Sequence, residues 1–333
     1  MTQIEQVLID SLPKNKLQED NYRLAQSELP DPGAEEVLVK TVAFAITAGA
    51  RAGLQGSASY AGGPETGVVM GGTGVGEVQI SNASGFAPGD RVMCATGWQT
   101  HSVHKASALT RIAADQNPMD YLGPLGVNGL TAYFGLLQVG RAKAGEVVMV
   151  SAAAGSVGHL VGQIAKIQGC YVVGVTGSDD KGRLLTDQLG FDATVNYRDS
   201  NYRQQLKECT ANGVDVYFDN TGGMILGSAL FRLNVGGRIA CCGVVSQYDT
   251  SSPEPGPKGV PGLLINKRLT MSGFLVFDFA DQYDSARQEI NGWLKSGQLQ
   301  SRTDEVRGLA AAPAAFVDLL AGGNVGTRVV RLE

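Results

Sequence analysis

Residues 147–166, VVMVSAAAGSVGHLVGQIAK, constrain the fold more than any other stretch of this chain. A compact apolar run passes through small residues straight into a segment whose Val157, Val161 and Ile164 share one helical face. That order is strand, tight turn, amphipathic helix, and the same rhythm continues. A helix is predicted at 158–168, a strand at 171–175, a helix at 181–189 and a short strand at 193–196. Further strands are expected at 214–219, 238–242 and 269–276, with helices between the earlier ones. Repeated β-α-β units of this kind build an α/β fold on a doubly wound parallel sheet.

The amino-terminal third reads differently. From 30 to 107, short β-rich runs at 37–45, 74–80 and 90–95 alternate with Gly/Pro turns, and helical periodicity is scarce. This predicts an antiparallel β domain. After Pro118 a helix-like stretch at 121–139 leads to the strand at 146–151, and helices at 286–294 and 311–320 precede a last strand at 326–332. At 333 residues two connected domains are the natural expectation. The boundaries drawn are 1–123 for the β-rich domain, 124–276 for the nucleotide-binding domain and 277–333 for a return that completes the first. Pro253, Pro255, Pro257 and Pro261 exclude a regular helix or central strand over 247–262, which suits a surface lid.

Charge and thiols narrow the partners. A net charge of -5 without a long basic run offers little attraction to nucleic acid or a membrane surface. No apolar run is long enough to span a bilayer and MTQIEQ lacks a leader pattern, so a cytoplasmic protein is expected. Cys94, Cys170, Cys209, Cys241 and Cys242 form an odd, scattered set that suits reduced thiols.

Gly155 and Gly158 keep the spacing that lets a pyrophosphate approach backbone N–H groups at a helix amino terminus, and Ala153 occupies the first glycine place of the dinucleotide fingerprint. At the end of the next strand stand Gly177 and Ser178, followed by Lys181: space and a cation for a 2′-phosphate, which favours NADPH. Asp179 and Asp180 pull the other way, since either carboxylate can turn toward the ribose hydroxyls. Two later strand ends carry Asn220 with a glycine pair, and Gly243, where ligands of such sheets bind. A metal set from Cys94, His101 and His104 fails, because residues three apart on an extended strand face opposite sides and no further ligands complete a shell. His159 is expected to pack near the cofactor turn rather than act as a base, and no G-x-S-x-G elbow marks a hydrolase.

The runs GDRV (89–92), GWQTHSV (97–103), GLTAYFGLL (129–137), AAAGSVG (152–158), GSDDK (177–181), YFDNTGG (217–223), CGVVSQY (242–248) and GGNVGT (322–327) resemble the prostaglandin and alkenal reductases, zinc-free members of the medium-chain dehydrogenase/reductase superfamily. The resemblance implies a GroES-like catalytic domain, a Rossmann domain and a homodimer. It implies NADPH contacts at Ser156, Val157, Lys181, Tyr197, Asn220, Cys242, Gly243, Tyr248, Phe274, Val276 and Asn324, with Val245 beside them. Gly71, Gly72 and Thr73 stand where zinc-dependent relatives place Gly-His-Glu, so no metal is expected. One departure is TAGARAG (47–53), which keeps Arg51 but puts Gly49 in the place of a tyrosine of the substrate pocket; Tyr60 is a candidate for the same pocket.

The expected reaction is hydride transfer from NADPH to the β-carbon of an α,β-unsaturated ketone or aldehyde. Tyr248 is the candidate catalytic residue, because a phenol of ordinary pKa about 10 stays protonated and can hydrogen-bond an oxyanion. Two other readings stay open for it: covering the nicotinamide, or steadying the proline-rich lid. Quinone reduction is the nearest rival activity, secondary-alcohol oxidation a third, and a non-catalytic NADPH-binding module the alternative of a different class.

Overall fold

The computed structural model describes residues 1–56, 63–253 and 255–332, which fall into two compact units. The first unit comprises residues 1–123 and 303–332, and the second residues 124–302.

The first unit opens with an antiparallel hairpin, β1 (Thr2–Ile9) and β2 (Tyr22–Leu29), ahead of the point where strand signals start in the sequence. β3 (Glu36–Ile46) is its central strand, buried along most of its length. It pairs antiparallel with β4 (Gly74–Ser81), which pairs with β5 (Arg91–Cys94). β6 (His101–Lys105) lies on β3, and β7 (Thr110–Arg111) closes one edge against β5. Trp98 is buried among Tyr22, Phe44 and Phe316, with ring centroids at 5.4, 5.7 and 5.9 Å. Aromatic packing of this kind anchors a core beyond the area it buries.

The second unit is a six-stranded, all-parallel sheet. Its strands are β8 (Val147–Val150), β9 (Tyr171–Thr176), β10 (Ala193–Asn196), β11 (Val214–Asp219), β12 (Leu233–Cys241) and β13 (Thr270–Gly273). They are ordered β10-β9-β8-β11-β12-β13. The order reverses between β8 and β11, and such a switch point is where open α/β sheets bind their ligands. Val148, Met149, Val150, Val172, Val173, Val216 and Phe218 are wholly buried, as strands covered on both faces require. The predicted Rossmann sheet is therefore present.

Three elements differ from their sequence expectation. The helix expected over 121–139 begins at Val127, because Gly123-Pro124 interrupts it, and its tail Gly135–Val139 is a π-helical turn. A helix, Val260–Lys267, forms inside the proline-rich region, with Pro261 in its first turn where a missing N–H costs nothing. The last strand predicted at 269–276 stops at Gly273.

The return to the first unit starts at residue 303, later than the 277 drawn from sequence. Helix Tyr283–Lys295 stays with the nucleotide-binding unit because its side chains are committed there. Trp293 packs on Tyr133 at 6.0 Å, Tyr283 on Phe134 at 6.2 Å, and Tyr133 donates to Glu289 at 2.6 Å. β14 (Thr303–Arg307) and β15 (Thr327–Arg331) then join the first unit's sheet, β15 pairing antiparallel with β3.

Candidate active site

The phosphate turn follows from how β8 ends. Ala152 takes φ 47°, in the left-handed region, and its carbonyl accepts the Gly155 N–H at 2.9 Å. The only left-handed residue of the turn is thus an alanine rather than a glycine, a cost of about 1 kcal/mol that concentrates at functional backbone. Ala153 N–H donates to Val175 at 3.0 Å, tying the turn to β9. Helix Gly158–Ile167 then begins so close to the turn that a Cβ at Gly158 would lie 2.8 Å from Ala153 Cα. Its N-cap residue is Val157, which makes no side-chain cap bond. First-turn N–H groups have no intrahelical acceptor, and with the positive end of the helix dipole they make an anion site.

His159 lies beneath this turn, fully buried, with Nδ1 2.8 Å from the Gly155 carbonyl. A carbonyl only accepts, so Nδ1 carries the proton. Burial lowers the imidazole pKa to about 4, against the opposing pull of the Gly155 and Ser156 backbone, which makes it a neutral brace. Gln163, one turn on, holds both backbone groups of Gln300, at 2.8 and 3.1 Å.

At the end of β9 the next helix, Asp179–Leu189, is capped: Ser178 accepts from Lys181 N–H at 3.4 Å. The two acids that obscure the cofactor choice are already engaged. Asn196 donates to Asp179 at 3.0 Å, and Asp180 pairs with Arg183. A Cβ at Gly177 would come within 3.3 Å of the Tyr197 ring and 3.6 Å of Arg198 Nε, so this glycine keeps a small hollow open. Arg198 carries no signal in the fingerprint, and only the chain path brings it here.

The rim beyond β8, β11 and β12 is organised by a buried carboxylate. Asp219 Oδ1 accepts from the Tyr217 hydroxyl at 2.8 Å, Gly222 N–H at 2.8 Å and Thr221 N–H at 3.0 Å. Its backbone carbonyl takes the N–H groups of Cys242 and Gly243, at 2.8 and 3.1 Å. Asn220 donates to the Ser151 carbonyl at 2.8 Å and Val245 N–H to the Asn220 carbonyl at 3.2 Å. Burial, reinforced by Asp219, pushes the Cys241 and Cys242 thiols up to about 11 and 12, so both are neutral wall residues. The Tyr248 hydroxyl accepts the Val244 N–H at 3.2 Å. It would also lie 3.4 Å from a Cβ at Gly243, so only glycine leaves that stretch of wall flat. Phe274 meets Phe218 edge-on at 6.2 Å, and Val276 is buried.

The sequence relatives agree with this architecture. The family described as zinc-binding dehydrogenase matches residues 156–291, and the one described as N-terminal domain of oxidoreductase matches residues 5–112. An Escherichia coli (strain K12) protein named NADPH-dependent curcumin reductase is 36% identical over 318 residues, covering 94% of this chain and 92% of that protein. Prostaglandin reductase 1 of Bos taurus is 41% identical over 272 residues, covering 80% and 82%. This chain belongs to the zinc-free prostaglandin and alkenal reductase family of medium-chain dehydrogenases/reductases. Among solved structures, CurA of Vibrio vulnificus in complex with NADPH superposes with TM-score 0.95 at 35% identity, covering 99% of both chains.

Of the cofactor-binding candidates, Gly155, Ser156, Val157, Gly158, Gly177, Ser178, Lys181, Tyr197, Asn220, Cys242, Gly243, Val245, Tyr248, Phe274 and Val276 fall within the second unit. The helix amino terminus after the turn and the hollow at Gly177 fit a 2′-phosphorylated dinucleotide. The remaining sequence candidates belong to the first unit. Asn324 donates to the Gly326 carbonyl at 2.9 Å. Gly49 opens a short helix, Gly49–Leu54, and a Cβ there would meet none of the described residues within 4 Å. Arg51 is fully buried and donates to the Asn15 carbonyl at 2.5 Å. Tyr60 lies outside the described residues. Among the described residues no three His, Cys, Asp or Glu side chains group as metal ligands, and His101 and His104 turn to Thr100 and Ser102. A cavity of about 450 Å³ lined by Lys40, Thr41 and His101 contains none of the candidate residues.

Proposed function

We propose that this NADP-dependent oxidoreductase reduces the carbon–carbon double bond of α,β-unsaturated ketones or aldehydes. NADPH, when bound, supplies the hydride to the β-carbon. The chain's own residues supply position and charge stabilisation: the amides of Val157 and Gly158 for the diphosphate, Lys181 for the 2′-phosphate, and the flat wall at Gly243 for a planar ring.

The observation that carries the chemical reading is the Tyr248 hydroxyl, held by the Val244 N–H at 3.2 Å beside Gly243. A phenol is both a donor and an acceptor, and an oxyanion developing on the substrate carbonyl is the acceptor this chemistry creates. We also propose that Gly49, where a Cβ would meet none of the described residues within 4 Å, widens the substrate pocket relative to a tyrosine.

Tyr248→Phe tests the reading. Steady-state rates on a small enone should fall about ten- to hundredfold in kcat while NADPH affinity is retained, the usual scale for losing one oxyanion donor or proton donor. Unchanged kcat would remove Tyr248 from the chemistry. Turnover of quinones but not enones would favour the rival reductase, and NADPH binding without turnover would favour a binding module.

The proposal includes a cytoplasmic homodimer. The five cysteines are all free thiols, which suits a reducing compartment, and no helix among the described residues is long and apolar enough to cross a membrane. Among the described residues β13 ends the sheet order, and Met271 within it and Leu275 and Phe277 just after it are 38%, 38% and 59% exposed. A bare apolar edge is the kind of surface a second copy covers. Met271→Lys should shift sedimentation toward a monomer; a native chain that sediments as a monomer refutes the dimer.

A further inference from the structure

We infer that Arg198 is the second cation of the 2′-phosphate site and a determinant of the choice of NADPH over NADH. The inference rests on the NADPH reading and adds a residue to it. β10 runs parallel to β9 with Asn196 opposite Thr176, and Tyr197 N–H donates to the Thr176 carbonyl at 3.0 Å. The residues just past β10 are therefore delivered beside Gly177 and Ser178, at the end of β9. Asn196 fixes the turn, its Oδ1 accepting the Arg198 N–H at 3.0 Å.

The guanidinium is exposed but not extended. It folds over the Tyr197 ring, 5.6 Å from its centroid, with Nε 3.4 Å from the Tyr197 hydroxyl. A Cβ at Gly177 would lie 3.5 Å from that hydroxyl and 3.6 Å from Arg198 Nε, so both donors border the hollow that the missing side chain leaves. Among the described residues no carboxylate lies within ion-pair distance of Arg198, although three acids are close in sequence. Each of those is engaged: Asp179 by Asn196, Asp180 by Arg183, and Asp199 by Asn201 N–H and Gln205. The corner thus brings a phenol and a guanidinium together, while the neighbouring carboxylates are turned to other donors.

That combination suits a phosphate monoester. A guanidinium presents a planar fork of N–H groups to phosphate oxygens, and it stays charged at every physiological pH. A ribose 2′-hydroxyl offers no charge for it to meet, so the contribution belongs to NADPH alone.

The test measures dissociation constants for NADPH and NADH by cofactor fluorescence in the native chain, Arg198→Ala and Arg198→Lys, at low and at physiological salt. Calorimetry with adenosine 2′-monophosphate and adenosine 5′-monophosphate supplies a readout independent of turnover. Arg198→Ala should weaken NADPH about tenfold and NADH less than about twofold, with a larger NADPH effect at low salt. It should weaken the 2′-monophosphate and spare the 5′-monophosphate, and Arg198→Lys should recover part of the loss. Arg198 is exposed and its fold-bearing hydrogen bond is made by its backbone, so the unfolding midpoint should not move. Unchanged NADPH affinity in Arg198→Ala, or equal weakening of both dinucleotides, overturns the inference while leaving the cofactor reading intact. A native chain with no preference for NADPH over NADH overturns both.

Discussion

Adding one methyl group at Gly158 tests the phosphate turn directly. In Gly158→Ala the new Cβ would stand 2.8 Å from Ala153 Cα and 2.9 Å from the Ala152 carbonyl carbon, and closer still to that carbonyl oxygen. Carbon atoms settle at about 3.5–4.0 Å, so roughly 1 Å must open between the turn and the helix. Both colliding groups are backbone, and no side chain can swing aside. Overpacking of this kind costs about 1–3 kcal/mol, which for a unit of this size lowers the unfolding midpoint by roughly 2–10 °C. The same displacement pulls the amides at 157 and 158 out of line with the diphosphate, and losing one charge-assisted hydrogen bond weakens binding at least about tenfold. Gly292→Ala is the matched control: it adds the same methyl within helix Tyr283–Lys295, where a Cβ meets nothing within 4 Å. There the gain in helix propensity should stabilise by about 0.5–1 kcal/mol and leave NADPH affinity unchanged. Fluorescence titration with NADPH and thermal unfolding of the two variants read both effects. Native affinity in Gly158→Ala, or loss of affinity in Gly292→Ala, would refute the assignment of the phosphate site.

Two further outcomes follow from buried polar groups. The folded chain holds His159 neutral down to about pH 4, whereas the unfolded chain takes up a proton near 6.5. Stability is therefore fully present above about pH 6.5 and falls as pH drops toward 4, by up to about 1.4 kcal/mol per pH unit. His159→Asn should flatten that slope in urea titrations across the window, and an identical slope would exclude His159 as its source. Asp219→Ala would strip the acceptor from the Tyr217 hydroxyl and from the Thr221 and Gly222 amides; at about 1–3 kcal/mol per stranded donor, several kcal/mol should be lost. Asp219→Asn keeps an acceptor oxygen and should cost less, as chemical denaturation would show; equal stability of Asp219→Ala and the native chain would contradict the network's role.

The second unit was the more legible half. β10 and β11 coincide with the strands predicted at 193–196 and 214–219, because both are short runs bounded by turn residues. The hairpin β1–β2 escaped detection. TQIEQVLI and YRLAQSEL mix polar and apolar residues without strict alternation, and their pairing is set by contact across a long turn. Helix Val260–Lys267 was hidden by the prolines before it, although Pro261 sits where a helix tolerates one. Residues 277–302 carry ordinary helical periodicity, and nothing local says which unit that helix face will meet.

By itself the sequence determined the parallel sheet, the turn at 152–158 and the presence of small residues where a dinucleotide must come close, since all three depend on spacing along the chain. The tertiary structure alone decided the contacts between distant segments. It turned Asp179 to Asn196, carried Arg198 to Gly177, placed Asp219 under the rim and put β15 against β3. Periodicity encodes which face of an element is apolar, but a hydrogen bond or ion pair across the sheet exists only once the sheet order has brought its partners together.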